Sequence, residues 1–171
     1  MKEVDIISNI AESKLTFMLN TSLWNSFDLD VLRIISASHS WNEVKLLGPD
    51  GKRNSLLTTI PKDKGGVYLF LVKPGFLLES HSYLVYVGRA HITENHNLRK
   101  RCLQYITEKK RPKVKRMIEQ WGEYLYIKYL PLDDNGMIDL VEEELINKIL
   151  PPCNDKIPNK KISAAVKAFT V

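Results

Sequence analysis

Three apolar runs after residue 65 have the length and composition of β-strands. Residues 67–72 form a continuous apolar and aromatic stretch, which is typical of a central strand covered on both faces. A second run, 83–87, ends at Gly88, and a third occupies 124–130. Because a short connection joins the first two runs, we expect them to pair antiparallel. The pattern predicts a small, mainly antiparallel three-stranded sheet.

Apolar residues at three- and four-residue spacing predict helices around this sheet. Ser26 is the expected N-cap of the second helix, with Asp28 and Asp30 in its first turn. The predicted helices span 4–19, about 27–38, 97–108, 112–121 and 137–150, with a short one from Ser163. Strands and helices in this order predict an α/β fold of the α+β type, with helices flanking the sheet.

Turn-forming residues divide the chain into segments. Two glycines at 65–66 follow a polar stretch and precede the first apolar strand. Upstream, the residues at 48–51 predict a turn between two extended pieces, one at 41–47 and one that ends at Ile60. We expect an N-terminal helical arm over 1–64, one domain over 65–156 and a C-terminal tail over 157–171.

The composition excludes several classes of protein. The 171 residues are 44% apolar and 26% charged, which excludes a disordered or low-complexity chain. Cys102 and Cys153 are too few for a disulfide scaffold and fit no zinc motif. The apolar runs are shorter than a membrane span, and residues 1–5 do not resemble a secretory signal. We therefore expect a soluble, cytoplasmic protein.

Positive charge is concentrated in one block. The net charge is +5, yet residues 1–64 carry 8 basic and 8 acidic side chains. Residues 97–116 carry 9 basic side chains and 1 acidic side chain. Such a block favours a polyanionic partner, most simply nucleic acid, although a solvated helix face has the same composition.

One acidic residue interrupts the apolar face of the last long predicted helix. Ile138, Val141 and Leu145 lie on that face, and helical geometry directs Glu142 near its middle. A carboxylate facing a core is costly unless it is paired or bound to a metal. Glu142 is therefore a candidate metal ligand. The alternative is a carboxylate at the edge of the face that reaches water or pairs with a lysine.

Tyrosines beside glycines and an arginine-rich helix supply further candidates. Tyr68 follows Gly66, and Tyr86 precedes Gly88. Such strand tyrosines are often only packing residues. Arg101 and Tyr105 are four residues apart on one predicted helix and share a face. A guanidinium group suits a phosphate, although this face could also simply be solvated.

Together these residues resemble the motifs of the GIY-YIG nuclease family over about 65–156. The matching segments are Gly66-Val67-Tyr68, Tyr86-Val87-Gly88-Arg89-Ala90, Asn97 to Tyr105, Glu142-x-x-Leu145-Ile146 and Pro151-Pro152-Cys153-Asn154. Both tripeptides have valine where the family has isoleucine. Residues 91–96 form a small insertion before the arginine helix, so Arg99 is the fallback for the position given to Arg101.

The resemblance implies a phosphodiester hydrolase with one divalent metal ion, Mg²⁺ or Mn²⁺, held by Glu142. Arg101 would neutralise the scissile phosphate. Tyr68 would take a proton from the attacking water, and Tyr86 would position the water or phosphate. A tyrosine is a weak base, so the proton of Tyr68 must be relayed or its pKa lowered by nearby cations. The supporting DNA or phosphate contacts would be Arg89, Arg99, Lys100, Tyr105 and Asn154, of which Asn154 resembles the family's structural asparagine at the edge of the site.

The functional hypothesis is therefore a metal-dependent DNA endonuclease. A short arm and loop insertions resemble the stand-alone restriction enzymes of the family, so a restriction or defence nuclease is preferred. The expected partner is double-stranded DNA, and a homodimer on DNA could cut both strands. The alternative is a non-catalytic nucleic-acid-binding protein that keeps the fold. RNA is a narrower alternative substrate.

Overall fold

A four-stranded antiparallel sheet organises the computed structural model, which describes residues 14–37, 40–76, 81–107 and 110–169. The spatial order of the strands is β1-β4-β2-β3, and each neighbouring pair is antiparallel. The strands are β1 (Asn42–Lys45), β2 (Gly65–Val72), β3 (Tyr83–Ala90) and β4 (Leu125–Leu132). The long strand β2 is buried along its whole length between β3 and β4, as its continuous apolar run predicts.

The prediction of three strands is wrong, because β1 adds a fourth. This strand lies within the extended piece expected at 41–47, in the N-terminal arm, and it pairs with β4, with Val44 opposite Ile127. Only Val44 of its four residues is buried. A short edge strand with one buried side chain has almost no alternating apolar pattern, so its presence depends on pairing with a distant strand.

Helices cover both faces of the sheet. They are α1 (Thr21–Trp24), α2 (Leu29–Ser36), α3 (Leu98–Gln104), α4 (Pro112–Trp121), α5 (Asn135–Ile149) and α6 (Lys160–Phe169). Short 3-10 helices occupy Ser55–Thr59, Tyr105–Thr107 and Gly122–Tyr124. Within the described ranges, no helix is long and apolar enough to cross a membrane.

Of the two helices expected in the N-terminal segment, the second forms as α2 and the first does not form where the chain is described. Residues 4–13 of the predicted helix over 4–19 lie outside the described residues, and 14–19 are not helical. Helix α2 is capped by Asp28, not Ser26, because the Asp28 carboxylate accepts hydrogen bonds from the backbone N–H groups of Asp30 and Val31 at 2.9 and 3.1 Å. The predicted turn at 48–51 forms, but a 3-10 helix follows it in place of a second extended piece.

Two apolar layers lie on opposite sides of the sheet. Alternation along β2 directs Tyr68 and Phe70 toward α3 and α4, and directs Val67 and Leu69 toward α5. Strand β3 is an outer strand of the sheet, so both apolar layers end and reach solvent along it. A site beside β3 can therefore draw side chains from both layers.

The free edge of β3 is covered by the segment that follows α5. The Asn154 side chain accepts a hydrogen bond from the Val87 backbone N–H at 2.9 Å and donates one to the Val87 carbonyl at 2.8 Å. The Cys153 backbone N–H donates to the Val85 carbonyl at 2.9 Å. These bonds fix the 153–154 segment against β3 as a short additional strand would be fixed.

Candidate active site at the edge of the sheet

A cavity of about 860 Å³ lies beside β3, where the two layers meet. It brings together the four residues predicted to be catalytic: Tyr68 from β2, Tyr86 from β3, Arg101 from α3 and Glu142 from α5. Other side chains around it are Arg89, His91, His96, Arg111, Glu143, Asn154, Asp155 and Lys156. The sequence motifs thus converge in space although they are far apart along the chain.

Gly88 makes room for the Tyr68 ring. The two residues are directly opposite each other in the β2–β3 pairing, and the Tyr68 ring lies across the glycine. A Cβ atom at position 88 would be 2.6 Å from the Tyr68 hydroxyl oxygen and 2.7 Å from Cζ. A side chain here would displace the phenol, so the packing of the Tyr68 ring requires the glycine of the Tyr86–Gly88 motif.

Three tyrosine hydroxyls form a hydrogen-bonded chain at the base of the cavity. The oxygens of Tyr68 and Tyr105 are 2.7 Å apart, and Tyr105 donates to Tyr86 at 3.1 Å. Tyr105 has a single hydrogen and gives it to Tyr86, so Tyr68 is the donor in its hydrogen bond with Tyr105. Within the described part of the chain, no acceptor takes the Tyr86 hydrogen, so this hydroxyl can donate into the cavity.

Two arginines enclose the tyrosine chain. Arg101 Nε donates to the Tyr68 hydroxyl at 3.3 Å, and Arg111 Nη1 donates to those of Tyr86 and Tyr105 at 3.1 and 3.2 Å. Both guanidinium groups also lie over the Tyr105 ring, at 5.4 Å for Arg101 and 4.6 Å for Arg111. Among the described residues, no carboxylate pairs with Arg101, so its charge is available to a phosphate.

Burial makes the two phenols weaker acids. Tyr68 is fully buried, and burial raises its pKa well above the ordinary value, with Tyr105 and Tyr86 adding to the shift and Arg101 opposing it. Burial, followed by the neighbouring Tyr105, also raises the pKa of Tyr86. The basic groups present thus do not lower the pKa of Tyr68, whereas its lowering by a bound metal ion and the relay of the Tyr68 proton both stay predictions.

Glu142 lies on the other side of β3 and pairs with Arg89. Arg89 is opposite Val67 in the strand pairing, so its side chain points toward α5. There Arg89 Nη1 donates to Glu142 Oε2, and Arg89 Nε lies 2.8 Å from Asp139 Oδ1. The Glu142 side chain is 15% exposed. Burial raises its pKa, and Arg89 offsets only part of that rise.

The cavity provides few protein ligands for a hard divalent cation such as Mg²⁺. Glu142 Oε1 accepts no hydrogen bond from any described residue, so this oxygen can face a cation. The described residues contain no cluster of three or more histidine, cysteine or acidic side chains that could hold a metal. A cation at Glu142 would need water and substrate oxygens as its other ligands, which is the way proteins commonly bind Mg²⁺.

Four of the predicted phosphate contacts are engaged elsewhere or buried. Arg99 Nε donates to the Ile60 carbonyl at 2.5 Å, and Lys100 Nζ to the Asn95 carbonyl at 2.7 Å. Neither residue lines the cavity. Tyr105 is fully buried behind the other two tyrosines. Asn154 lines the cavity, but its amide is bound to the β3 backbone, so its role in the structure is to position that strand.

Arg111 and Asp139 line or border the site but were not predicted from the sequence. Arg111 directly precedes Pro112, the first residue of α4, and the extended backbone required before a proline directs its side chain away from that helix. Asp139 is three residues before Glu142 and shares its helical face. The proline boundary and the three-residue spacing were the signals that could have identified them.

Gly88→Ala should destabilise the protein by about 1–3 kcal/mol, the range typical of inserting a methyl group into a packed site. In an extended strand alanine is otherwise better than glycine, so the loss would come from the Tyr68 ring. Urea unfolding of Gly88→Ala in the wild-type and Tyr68→Ala backgrounds forms a double-mutant cycle. The cost should fall sharply when the ring is absent. An equal cost in both backgrounds would contradict the packing argument.

No protein-family model, curated protein or solved structure matches this chain. Function is therefore inferred from the geometry of the cavity and from the resemblance of the motifs.

Proposed function

We propose that this protein is a metal-dependent endonuclease that hydrolyses phosphodiester bonds in DNA. The observation that carries the proposal is the convergence of Tyr68, Tyr86, Arg101 and Glu142 on one cavity. Two phenols, a guanidinium group that pairs with no carboxylate of the described residues and a largely buried carboxylate form a suitable set for holding a phosphate diester. The resemblance of the same four positions to the GIY-YIG motifs is the second support.

The side chains have distinct tasks in this proposal. Arg101 binds the scissile phosphate and neutralises the charge that increases in the transition state. The Tyr86 hydroxyl donates its available hydrogen to a phosphate oxygen. Glu142 would hold the divalent cation, which when bound stabilises negative charge on the leaving 3′ oxygen.

The charges around the cavity favour a polyanionic substrate. Four cationic side chains line it, against three acidic ones: Arg89, Arg101, Arg111 and Lys156, and Glu142, Glu143 and Asp155. The charge of Arg89 is shared between two carboxylates. Cationic groups grouped around a cleft attract phosphates and make binding dependent on salt. DNA is the substrate we favour. The restriction or defence role and the homodimer remain predictions from the sequence.

The test is cleavage of supercoiled plasmid DNA by the wild-type protein. In Mg²⁺ or Mn²⁺ the plasmid should become nicked or linear. Excess EDTA should stop the reaction, because removing the cation removes the positive charge that stabilises the leaving oxygen. An RNA duplex and single-stranded RNA under the same conditions test the alternative substrate. If neither nucleic acid is cut with either metal, the proposed activity is wrong.

The Arg89–Glu142 pair favours a second candidate, a nucleic-acid-binding protein without catalytic activity. In that case Glu142 would serve to fix Arg89 on α5 instead of holding a cation. Such a protein should bind DNA with affinity that falls steeply with salt, equally well with and without divalent metal, and should cut nothing. Filter-binding assays over a salt series, run beside the cleavage assay, distinguish the two candidates.

A further inference from the structure

His91 forms a hydrogen-bonded pair with Asp139 at the wall of the cavity. His91 Nε2 is 2.5 Å from Asp139 Oδ1, and the histidine side chain is 37% exposed. An ionised carboxylate can only accept hydrogen bonds, so Nε2 has the hydrogen and Nδ1 of the neutral ring has the lone pair. Among the described residues, none forms a hydrogen bond with Nδ1. This nitrogen can therefore accept a proton.

Both members of the pair are held in position. Arg89 Nε contacts the same Asp139 oxygen at 2.8 Å and so orients the carboxylate. Next to His91, the Ile92 backbone N–H donates to Asn135 Oδ1 at 3.1 Å, and Asn135 Nδ2 donates to the Ile92 carbonyl at 3.3 Å. The loop after β3 is thereby attached to the first residue of α5. The imidazole has a defined place near Glu142 and Arg89.

The tyrosines are poorly suited to accept a proton. The Tyr68 hydroxyl is buried, receives a hydrogen bond from Arg101 and gives its own hydrogen to Tyr105. Burial raises the pKa of both Tyr68 and Tyr86, so these phenols stay protonated at neutral pH. In this arrangement they are hydrogen-bond donors, and hydrolysis needs an acceptor elsewhere in the cavity.

We propose that His91 is the general base that activates water in the phosphodiester hydrolysis inferred above, and the proposal rests on that function. As the water oxygen bonds to phosphorus, one water O–H bond breaks and its proton moves to His91 Nδ1. The bond between phosphorus and the 3′ oxygen breaks, and the leaving oxygen takes a proton from solvent. His91 then returns its proton to solvent. Asp139 is the positioning residue, which maintains the tautomer and stabilises the imidazolium.

His91→Ala should slow single-turnover cleavage at saturating protein by about 10²–10⁴-fold, the usual contribution of a general base. DNA affinity, measured in EDTA, should stay near the wild-type value. Added imidazole should restore part of the rate, increasing with imidazole concentration, because it can occupy the space of the missing ring. A purely structural role would not give this rescue.

Asp139→Asn tests the positioning role of Asp139, and His96→Ala is the matched control. An asparagine amide can donate to Nε2 and favour the wrong tautomer, so Asp139→Asn should also cleave slowly, with unchanged DNA affinity. His96→Ala removes the other histidine of the cavity wall, and its rate should not respond to imidazole. If His91→Ala does not fold by circular dichroism, His91→Gln supplies a polar side chain without an imidazole base.

The outcomes separate this proposal from the proposed function. If the wild-type protein cuts DNA and the folded His91 variants cut it as fast, His91 is not the base, although the protein is a nuclease. A slow His91→Ala protein that imidazole does not rescue also overturns the role as base. Absence of wild-type cleavage contradicts both proposals.

Discussion

Glu142→Gln is expected to reduce DNA cleavage by about 10³-fold or more while the protein remains folded. The amide has the size of the carboxylate but lacks the charge that holds a divalent cation. Because burial already disfavours the charged form of Glu142, a neutral side chain is compatible with this position. Asp139 remains as a partner for Arg89.

Three measurements check this expectation. Single-turnover cleavage gives the loss of rate, Mn²⁺ binding followed by electron paramagnetic resonance gives the loss of the metal, and thermal unfolding monitors the fold. Glu123→Gln makes the same change of charge at an exposed position outside the cavity, so it should cut normally. A Glu142→Gln protein that cuts at the wild-type rate would show that Glu142 holds no catalytic metal.

Gly66→Ala is expected to have the largest effect on stability, about 2–6 kcal/mol when backbone strain and overlap are added. Gly66 has a φ of 150°, a region that residues with a Cβ rarely adopt. A Cβ there would be 2.2 Å from the Leu130 carbonyl oxygen on β4. A backbone oxygen within a sheet cannot move aside as a side chain can. The loss is comparable with the whole stability of many domains.

Gly75→Ala separates the two causes. Gly75 also has a positive φ, 82°, but no atom lies within 4 Å of a Cβ built there. This variant should lose only the strain energy, about 1–2 kcal/mol. Urea unfolding gives the loss in free energy of unfolding for each variant, and the difference between the two losses is the cost of steric overlap at Gly66. Equal losses would mean that the close approach of β4 is unimportant.

The strands that the sequence predicts correctly are those with a strong local signal. Strand β2 is buried on both faces and is continuously apolar, so its pattern needs no knowledge of its neighbours. Strand β1 has one buried side chain, Val44, and forms because β4 offers it backbone partners from a distant part of the chain. The turn at 48–51 indicates an extended piece here, but local periodicity cannot reveal that it joins the sheet.

The same distinction applies to the candidate site. Tyr68, Tyr86, Arg101 and Glu142 were identified because motif spacing is a property of the sequence, and they share one cavity. The pairing of Arg89 with Glu142 depends instead on strand register and on how α5 packs, as does the complete burial of Tyr68. These tertiary features determine which groups donate hydrogen bonds and which accept them, and motif spacing does not show them.

The contacts of Cys153 and Asn154 with β3 also affect how the protein behaves at high concentration. An open outer strand presents unpaired N–H and carbonyl groups on which another chain can assemble, a common origin of aggregation. Here the Val85 carbonyl and both backbone groups of Val87 already have intramolecular partners. At this part of β3 the protein thus places a strand at the mouth of its cavity without offering these groups as a template for self-association.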